Sequence, residues 1–171
     1  MLVWLDDLRL NAELTGPTDA PPVVLIQGLG LDLSLWDAVL SRLRTRILRL
    51  DLRGQGASDT PPAPYAMGAL IRDVERLVDH FALKDAVVLG AGEGGLIAQG
   101  LAVKRLDQVR AMVLTGSATR FGNPDLWASR IARHRATGLD VAAECAAFLG
   151  PRWAGSPATP ALQALLDRAR P

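Results

Sequence analysis

The chain has 171 residues, of which 49% are hydrophobic and 22% are charged, and its formal net charge is +1. The length suits one domain of ordinary size, and the composition excludes disorder as the overall state. A charge this close to zero gives no reason to expect nucleic acid or a membrane as a partner. No apolar run reaches the length of a membrane span and no signal-peptide pattern is found, so we expect a cytoplasmic protein.

The chain contains a single cysteine, Cys145, which excludes an internal disulfide and a zinc site built from several cysteines. Cys145 lies in an Ala-rich segment, where a small buried side chain is a more common role than a reactive thiolate. We therefore expect neither a metal ion nor another cofactor.

Apolar runs and helical periods alternate along the first two thirds of the chain. Residues 1–14 predict two short strands joined by a tight turn. The unbroken apolar run at residues 23–26 predicts a strand buried on both faces, and mainly apolar runs predict further strands at residues 47–52, 86–89 and 109–114, the last two of them buried. Apolar residues at helical spacing predict helices at residues 35–43, 65–81 and 96–103. Strands that alternate with helices indicate an α/β fold with a mostly parallel sheet flanked by helices.

The pattern changes after Ser117. Residues 125–168 are rich in Ala and Arg and have helical spacing, and no further apolar strand follows. We therefore predict a core domain over residues 1–121 and a separate helical segment over residues 122–171.

A glycine-rich turn joins the strand at residues 86–89 to the helix that follows it. The turn fits the nucleophile elbow G-x-S-x-G, in which glycines allow strand and helix to pack closely around a sharply bent residue. With Gly90 and Gly94 as the motif glycines, Gly92 occupies the serine position. The alternative is the dinucleotide-binding motif G-x-G-x-x-G, which follows the first strand of its sheet. At least three strands precede the turn, and this favours the elbow.

Four stretches carry a resemblance to a known family, namely VVLIQGLGLDLSLW (23–36), DLRGQGASD (51–59), LGAGEGGLIAQGLA (89–102) and AMVLTGSATRFGNPDLWASRIARHRATG (111–138). They resemble the α/β-hydrolases, and among these the 3-oxoadipate enol-lactonases. The first three motifs are shared across the superfamily, whereas the helix LIAQGLA and the fourth stretch point to the lactonases. The resemblance implies an α/β-hydrolase-type sheet that is truncated at its C-terminus and followed by a remnant of the helical cap.

The resemblance also implies an oxyanion hole. In this family the backbone N–H of the residue after the nucleophile and an N–H of an earlier loop bind the oxyanion. The corresponding residues are Glu93 and Leu29. Because only backbone groups are needed, the oxyanion hole is expected to survive within the elbow frame, which consists of Gly90, Gly94 and Gly95.

The catalytic triad of the family is expected to be absent. Gly92 has no hydroxyl group and cannot form an acyl-enzyme. The acid and the histidine of the family follow beyond the cap, so the resemblance implies that these 171 residues lack both. Neither Ser58, in a loop, nor His134, on an Arg-rich helix, is favoured as a replacement. Two interpretations remain: a catalytically impaired ester or lactone hydrolase, and a non-catalytic binding or structural module.

The substrates of the resembled enzymes carry a carboxylate, which arginine binds well. We therefore expect a small carboxylate or a lactone as the ligand. The candidate pocket combines a residue of the oxyanion loop with arginines and tryptophans of the cap: Gln27, Trp127, Arg130, Arg133 and Trp153. Gln27 stands where many relatives have His or Asn, and we expect it to orient the loop.

The last apolar strand, between Val109 and Leu114, has a consequence for assembly. Two further strands of the family sheet are missing after it, so the resemblance implies an open edge. Open apolar edges pair with other chains. We therefore expect self-association or a partner chain at this strand.

Overall fold

Six strands form a single sheet in the computed structural model, which describes residues 1–138 and Ala164. In chain order they are β1 (Leu2–Leu5), β2 (Leu8–Thr15), β3 (Pro22–Ile26), β4 (Arg46–Leu50), β5 (Ala86–Ala91) and β6 (Val109–Thr115). Their spatial order is β1-β2-β4-β3-β5-β6. The last four strands of the chain run parallel, whereas β1 pairs antiparallel with β2 and β2 pairs antiparallel with β4. The prediction of a mostly parallel sheet is confirmed.

The helices of the described residues are α1 (Asp37–Leu40), α2 (Met67–His80), α3 (Glu93–Lys104) and α4 (Pro124–Thr137). The predicted helix at residues 35–43 is wrong in extent, because a 3₁₀ turn over Leu33–Trp36 precedes the single turn of α1. Asp32 caps the 3₁₀ turn by accepting a hydrogen bond from Ser34 N at 2.8 Å. The helical spacing instead reflects the 3₁₀ turn and the turn of α1, whose apolar residues pack into one apolar cluster with Leu25 and Ile47.

The sheet packs on both of its faces. Successive residues of a strand point to opposite faces, so Val24 belongs to the larger apolar cluster under α2 and α3, whereas Leu25 belongs to a smaller one. The smaller cluster also contains Trp36 and Ile47. Because both faces of β3 are covered, its sequence is a continuous apolar run.

The edge strand β6 differs from the prediction. The strand exists, but the expectation that it is buried is wrong, because only Val109 is buried. The exposed fractions of Met112, Val113 and Leu114 are 41%, 48% and 43%. The reason is that, within the described residues, β6 pairs with β5 alone and forms an edge of the sheet. Pairing of this edge with a second copy or a partner chain stays a prediction.

The chain divides into two units between Ala118 and Thr119. The described part of the second unit, residues 119–138, contains α4, whose first turn is capped by a hydrogen bond from Leu126 N to Asn123 Oδ1. The predicted domains, 1–121 and 122–171, stay a prediction, and most of the second lies outside the described residues. No helix in the described part of the chain is long and apolar enough to cross a membrane.

Candidate active site

The turn between β5 and α3 bends sharply at Gly92. This residue has φ +54° and ψ −119°, a conformation that residues with a Cβ rarely adopt. Gly92 N donates to Thr115 O at 2.9 Å, and Gly95 N donates to Gly92 O at 3.1 Å. These bonds fix Gly92 between the end of β6 and the first turn of α3.

The other glycines of the turn leave no room for a Cβ, because Gly90 and Gly94 lie against backbone atoms and Gly95 lies against the Ser117 side chain. A Cβ on Gly90 would lie 2.6 Å from Gly95 Cα, and a Cβ on Gly94 would lie 2.6 Å from Gln27 O. A Cβ on Gly95 would lie 2.5 Å from the Cβ of Ser117. These distances are far inside van der Waals contact, so the packing of β3, β5 and α3 requires glycine at all three positions of the elbow frame.

Gly92 itself has room for a side chain. Among the described residues, a Cβ there would meet only Gly28 Cα, at the ordinary contact distance of 3.7 Å. Packing therefore does not require glycine at the apex, although the backbone conformation favours it. Without a hydroxyl, thiol or carboxyl group, the apex supplies no nucleophile.

The loop after β3 lies against the elbow. A Cβ on Gly28 would lie 3.1 Å from Ala91 O and 3.8 Å from Glu93 N. Among the described residues, neither Leu29 N–H nor Glu93 N–H has a hydrogen-bond acceptor. Glu93 is the first residue of α3, at the positive end of the helix dipole. Two unpaired N–H groups on adjoining segments are the donors that an oxyanion hole needs.

Two side chains from the segment after β4 hold this loop. Leu31 N donates to Gln55 Oε1 at 3.2 Å, and Leu33 N donates to Asp51 Oδ1 at 2.7 Å. Leu31 N also lies 3.3 Å from Gly28 O, which closes a turn around Leu29. The loop that carries Leu29 N–H is therefore tied to the segment after β4 by side-chain acceptors.

Asp51 is a buried carboxylate, 2% exposed, that joins three segments. Besides Leu33 N, it accepts hydrogen bonds from Asn11 Nδ2 at 2.8 Å and from Ala57 N at 2.9 Å. Ser58 Oγ donates to Asp51 O and accepts from Asn11 N. The interpretation of Ser58 as a loop hydrogen-bonding residue is confirmed.

The side chain of Glu93 is partly buried rather than exposed. Its carboxyl has no hydrogen bond or ion pair among the described residues, and burial raises the pKa of Glu93. A carboxyl that takes up a proton more readily adds less negative charge beside the N–H groups of the site.

Two buried polar groups near the elbow have no partner in the described part of the chain. Gln27 is 0% exposed, and neither its Nε2 nor its Oε1 forms a hydrogen bond. Ser117 Oγ, against Gly95, is likewise buried and unpaired. Such groups usually bind ordered water or a ligand. That Gln27 orients the loop stays a prediction, because its side chain makes no hydrogen bond to it.

Most of the remaining candidate residues lie in the second unit. In α4, Trp127 Nε1 donates to Phe121 O at 2.7 Å, and the Arg130 guanidinium lies 5.3 Å from the centroid of the Trp127 ring. Arg133 is exposed on the same helix, and His134 lies in its last turn. The candidate pocket stays a prediction. Two of the residues singled out in the sequence lie outside the described residues, namely Cys145 and Trp153.

The roles of Asp51 and Gln55 were not predicted from the sequence. The sequence DLRGQGASD (51–59) is recognisable as a loop. One feature of it could have indicated the role of Asp51, namely a carboxylate at the end of a strand, directly before glycine-rich turns whose amides need acceptors. Among the described residues, no group of three or more His, Cys, Asp or Glu side chains could hold a metal ion.

A family model described as the α/β hydrolase fold matches residues 21–167. The chain is 32% identical over 149 residues to 3-oxoadipate enol-lactonase 2 of Acinetobacter baylyi, an alignment that covers 86% of this chain and 55% of the relative. The chain therefore spans about half the length of the curated relatives it matches.

Two solved structures resemble the chain over nearly all of its length. A hydrolase from Pseudomonas aeruginosa superimposes with a TM-score of 0.86 at 30% identity, covering 99% of this chain and 67% of that protein. The enol-lactonase from Burkholderia xenovorans superimposes with a TM-score of 0.83 at 31% identity, covering 98% of this chain and 66% of that enzyme.

Proposed function

The chain belongs to the α/β-hydrolase fold family, and from this we propose that it is a hydrolase of the carboxylic ester or lactone type, similar to the 3-oxoadipate enol-lactonases, with catalysis impaired at the nucleophile. The similarity to two enol-lactonases supports the type of substrate. The observation that carries the impairment is Gly92, at the apex where the family motif has serine.

The missing hydroxyl removes the first bond-forming step. A serine hydrolase attacks the ester carbonyl with Oγ, forms an acyl-enzyme and releases it with water. Leu29 N–H and Glu93 N–H remain to stabilise the negative oxygen of a tetrahedral intermediate, but Gly92 offers no atom to create one. Gly92 lies within the family-matched region, so the nucleophile is lost wherever the polypeptide ends.

Hydrolysis of 4-nitrophenyl acetate by the purified chain tests this proposal. We expect no saturable turnover above a heat-inactivated control, because the oxyanion donors alone account for at most about 10³–10⁴-fold over water. Saturable turnover that a serine-directed phosphonate abolishes would show that the nucleophile lies elsewhere and would overturn the proposal.

A second candidate function is the binding of a small carboxylate without turnover. The unpaired N–H groups of Leu29 and Glu93 favour it, since they can donate to one carboxylate oxygen, and the space beside Gly92 admits another small group. Acetate titrated into ¹⁵N-labelled protein should shift both amide signals saturably and leave that of Gly68, on α2, unchanged. Signals that do not respond to acetate would contradict this function.

A further inference from the structure

We propose that Gln55 is a positioning residue of the oxyanion loop, acting through its Oε1 on Leu31 N and thereby setting the direction of Leu29 N–H. The inference rests on the proposed function, because it concerns the same two donors, Leu29 N–H and Glu93 N–H. It assigns a role to a side chain that lies outside the elbow and outside the cap.

The loop has little packing of its own to hold it. The side chain of Leu29 is 65% exposed, and Gly30, at φ +78°, has no atom within 4 Å of the place where a Cβ would lie. In contrast, Gly28 at the start of the loop is buried against the elbow. Leu31 N–H is shared with Gly28 O inside the loop. The bonds from Leu31 N to Gln55 and from Leu33 N to Asp51 are therefore the ones that tie the loop to a neighbouring segment.

Gln55 is suited to impose such a restraint, because its own backbone is fixed. Its N–H donates to Leu52 O at 3.0 Å, and its carbonyl accepts from Ser58 N at 3.1 Å. The Gln55 side chain thus presents its Oε1 acceptor to Leu31 N from a hydrogen-bonded turn, and the neighbouring Asp51 does the same for Leu33 N.

Asp51 and Gln55, the two acceptors, differ in the number of other hydrogen bonds that their side chains accept. Asp51 is buried and also bonds Asn11 and Ala57, so its loss affects several segments. Gln55 is only partly buried, and its side chain holds the loop through this one bond. Gln55 therefore allows the restraint on the loop to be removed while the rest of the fold is kept.

Amide hydrogen exchange in the Gln55→Met variant tests the proposal. Methionine keeps the length of the side chain but accepts no comparable hydrogen bond. We expect the Leu31 amide to exchange roughly fivefold to tenfold faster and the Leu29 amide signal to move, with the melting temperature almost unchanged. We also expect the affinity for acetate to fall by a similar factor, because the peptide that carries Leu29 N–H is no longer restrained by Gln55.

Two further variants make the result specific. Gln55→Glu keeps an oxygen at the same place and should restore slow exchange at Leu31. Gln99→Met is the matched control, since the Gln99 amide binds Gly95 O and Ala118 O and not this loop. It should leave exchange at Leu31 unchanged.

The outcomes separate the positioning role from the proposed function. Unchanged exchange at Leu31 in Gln55→Met would overturn the positioning role, as would faster exchange spread over the whole sheet together with a lower melting temperature. Failure of the wild-type protein to bind acetate would contradict carboxylate binding, while the exchange data would still decide the role of Gln55.

Discussion

The elbow at Gly92 and the loop at Leu29 adjoin each other and are held by different means. At the elbow, neighbouring atoms approach so closely that Gly90, Gly94 and Gly95 have no room for a Cβ, and the apex Gly92 is held by backbone hydrogen bonds. The loop has open space around Gly30 and is held by carboxylate and amide acceptors from Asp51 and Gln55. The elbow should therefore be sensitive to added atoms, and the loop to lost acceptors.

The largest effect is expected when an atom is added to the elbow frame. In Gly94→Ala the new Cβ would lie 2.6 Å from Gln27 O, a backbone atom that cannot move aside without opening the contact between β3 and α3. We expect a loss of about 3 kcal/mol, or roughly 6–12 °C in melting temperature. Thermal unfolding followed by circular dichroism measures it.

Gly68→Ala is the matched control for that substitution. Gly68 lies in the first turn of α2, and a Cβ there would meet nothing within 4 Å. Alanine should be neutral or stabilise by up to about 1 kcal/mol, because it restricts the unfolded chain. Equal losses in the two variants would refute the steric account of the elbow.

A lost acceptor on the loop side should have the next largest effect. In Asp51→Asn one carboxylate oxygen becomes an NH₂ group, so at least one of the donors from Asn11, Leu33 and Ala57 is left without an acceptor. We expect a loss of about 2 kcal/mol, measured by urea unfolding. Asp19→Asn, at an exposed loop position, should change stability little. An Asp51→Asn variant as stable as wild type would show that the carboxylate does not hold the loop.

The same contrast explains what the sequence could predict. The elbow was predicted because glycines at fixed spacing are a local signal, and β3 to β5 because strands packed on both faces are continuous apolar runs. The role of Asp51 was not predicted, because its bonds to Asn11 and Leu33 join residues far apart in the chain. Such contacts produce no periodic pattern in the sequence. The residue pattern of β6 predicts a buried strand, whereas the resemblance predicts an open edge, because the burial of a strand is decided by its neighbours and not by its own sequence.

A smaller effect is expected when the missing hydroxyl is restored. Gly92→Ser has room for its Cβ, which would lie 3.7 Å from Gly28 Cα, but it must adopt φ +54°. This strain should lower stability by about 1–3 kcal/mol without the clash expected at Gly94. Urea unfolding measures the free energy of unfolding of Gly92→Ser and of Gly94→Ala. The comparison distinguishes backbone strain at Gly92 from steric overlap at Gly94.

The Gly92→Ser variant should also stay inactive toward esters. A serine without a base is a weak nucleophile at neutral pH, and restoring one member of a triad alone regains little. Within residues 1–118 the one histidine is His80, which packs edge-on against Phe81 at the end of α2. Enzyme-like turnover of 4-nitrophenyl acetate by this variant would reveal a base that reaches the elbow.

The smallest expected effect is a pH dependence of stability that arises from Glu93, the first residue of α3. Burial raises the pKa of Glu93 in the folded protein above its ordinary value of about 4.3 in the unfolded chain. Well below both pKa values the carboxyl is protonated in the folded and in the unfolded chain, and its burial then costs no stability. As the pH rises through the folded-state pKa, the folded protein loses stability, because the charged form is favoured in the unfolded chain.

Glu93→Gln removes this titration and keeps the shape of the side chain. The variant should therefore match the wild type near pH 3.5 and melt slightly higher at pH 7.5, by a few degrees at most. Melting temperatures at both pH values provide the measurement, with the acid value as the internal control. A variant that melts lower only at pH 7.5 would mean that the charged carboxylate stabilises the positive end of α3, so that attraction to the helix dipole outweighs burial.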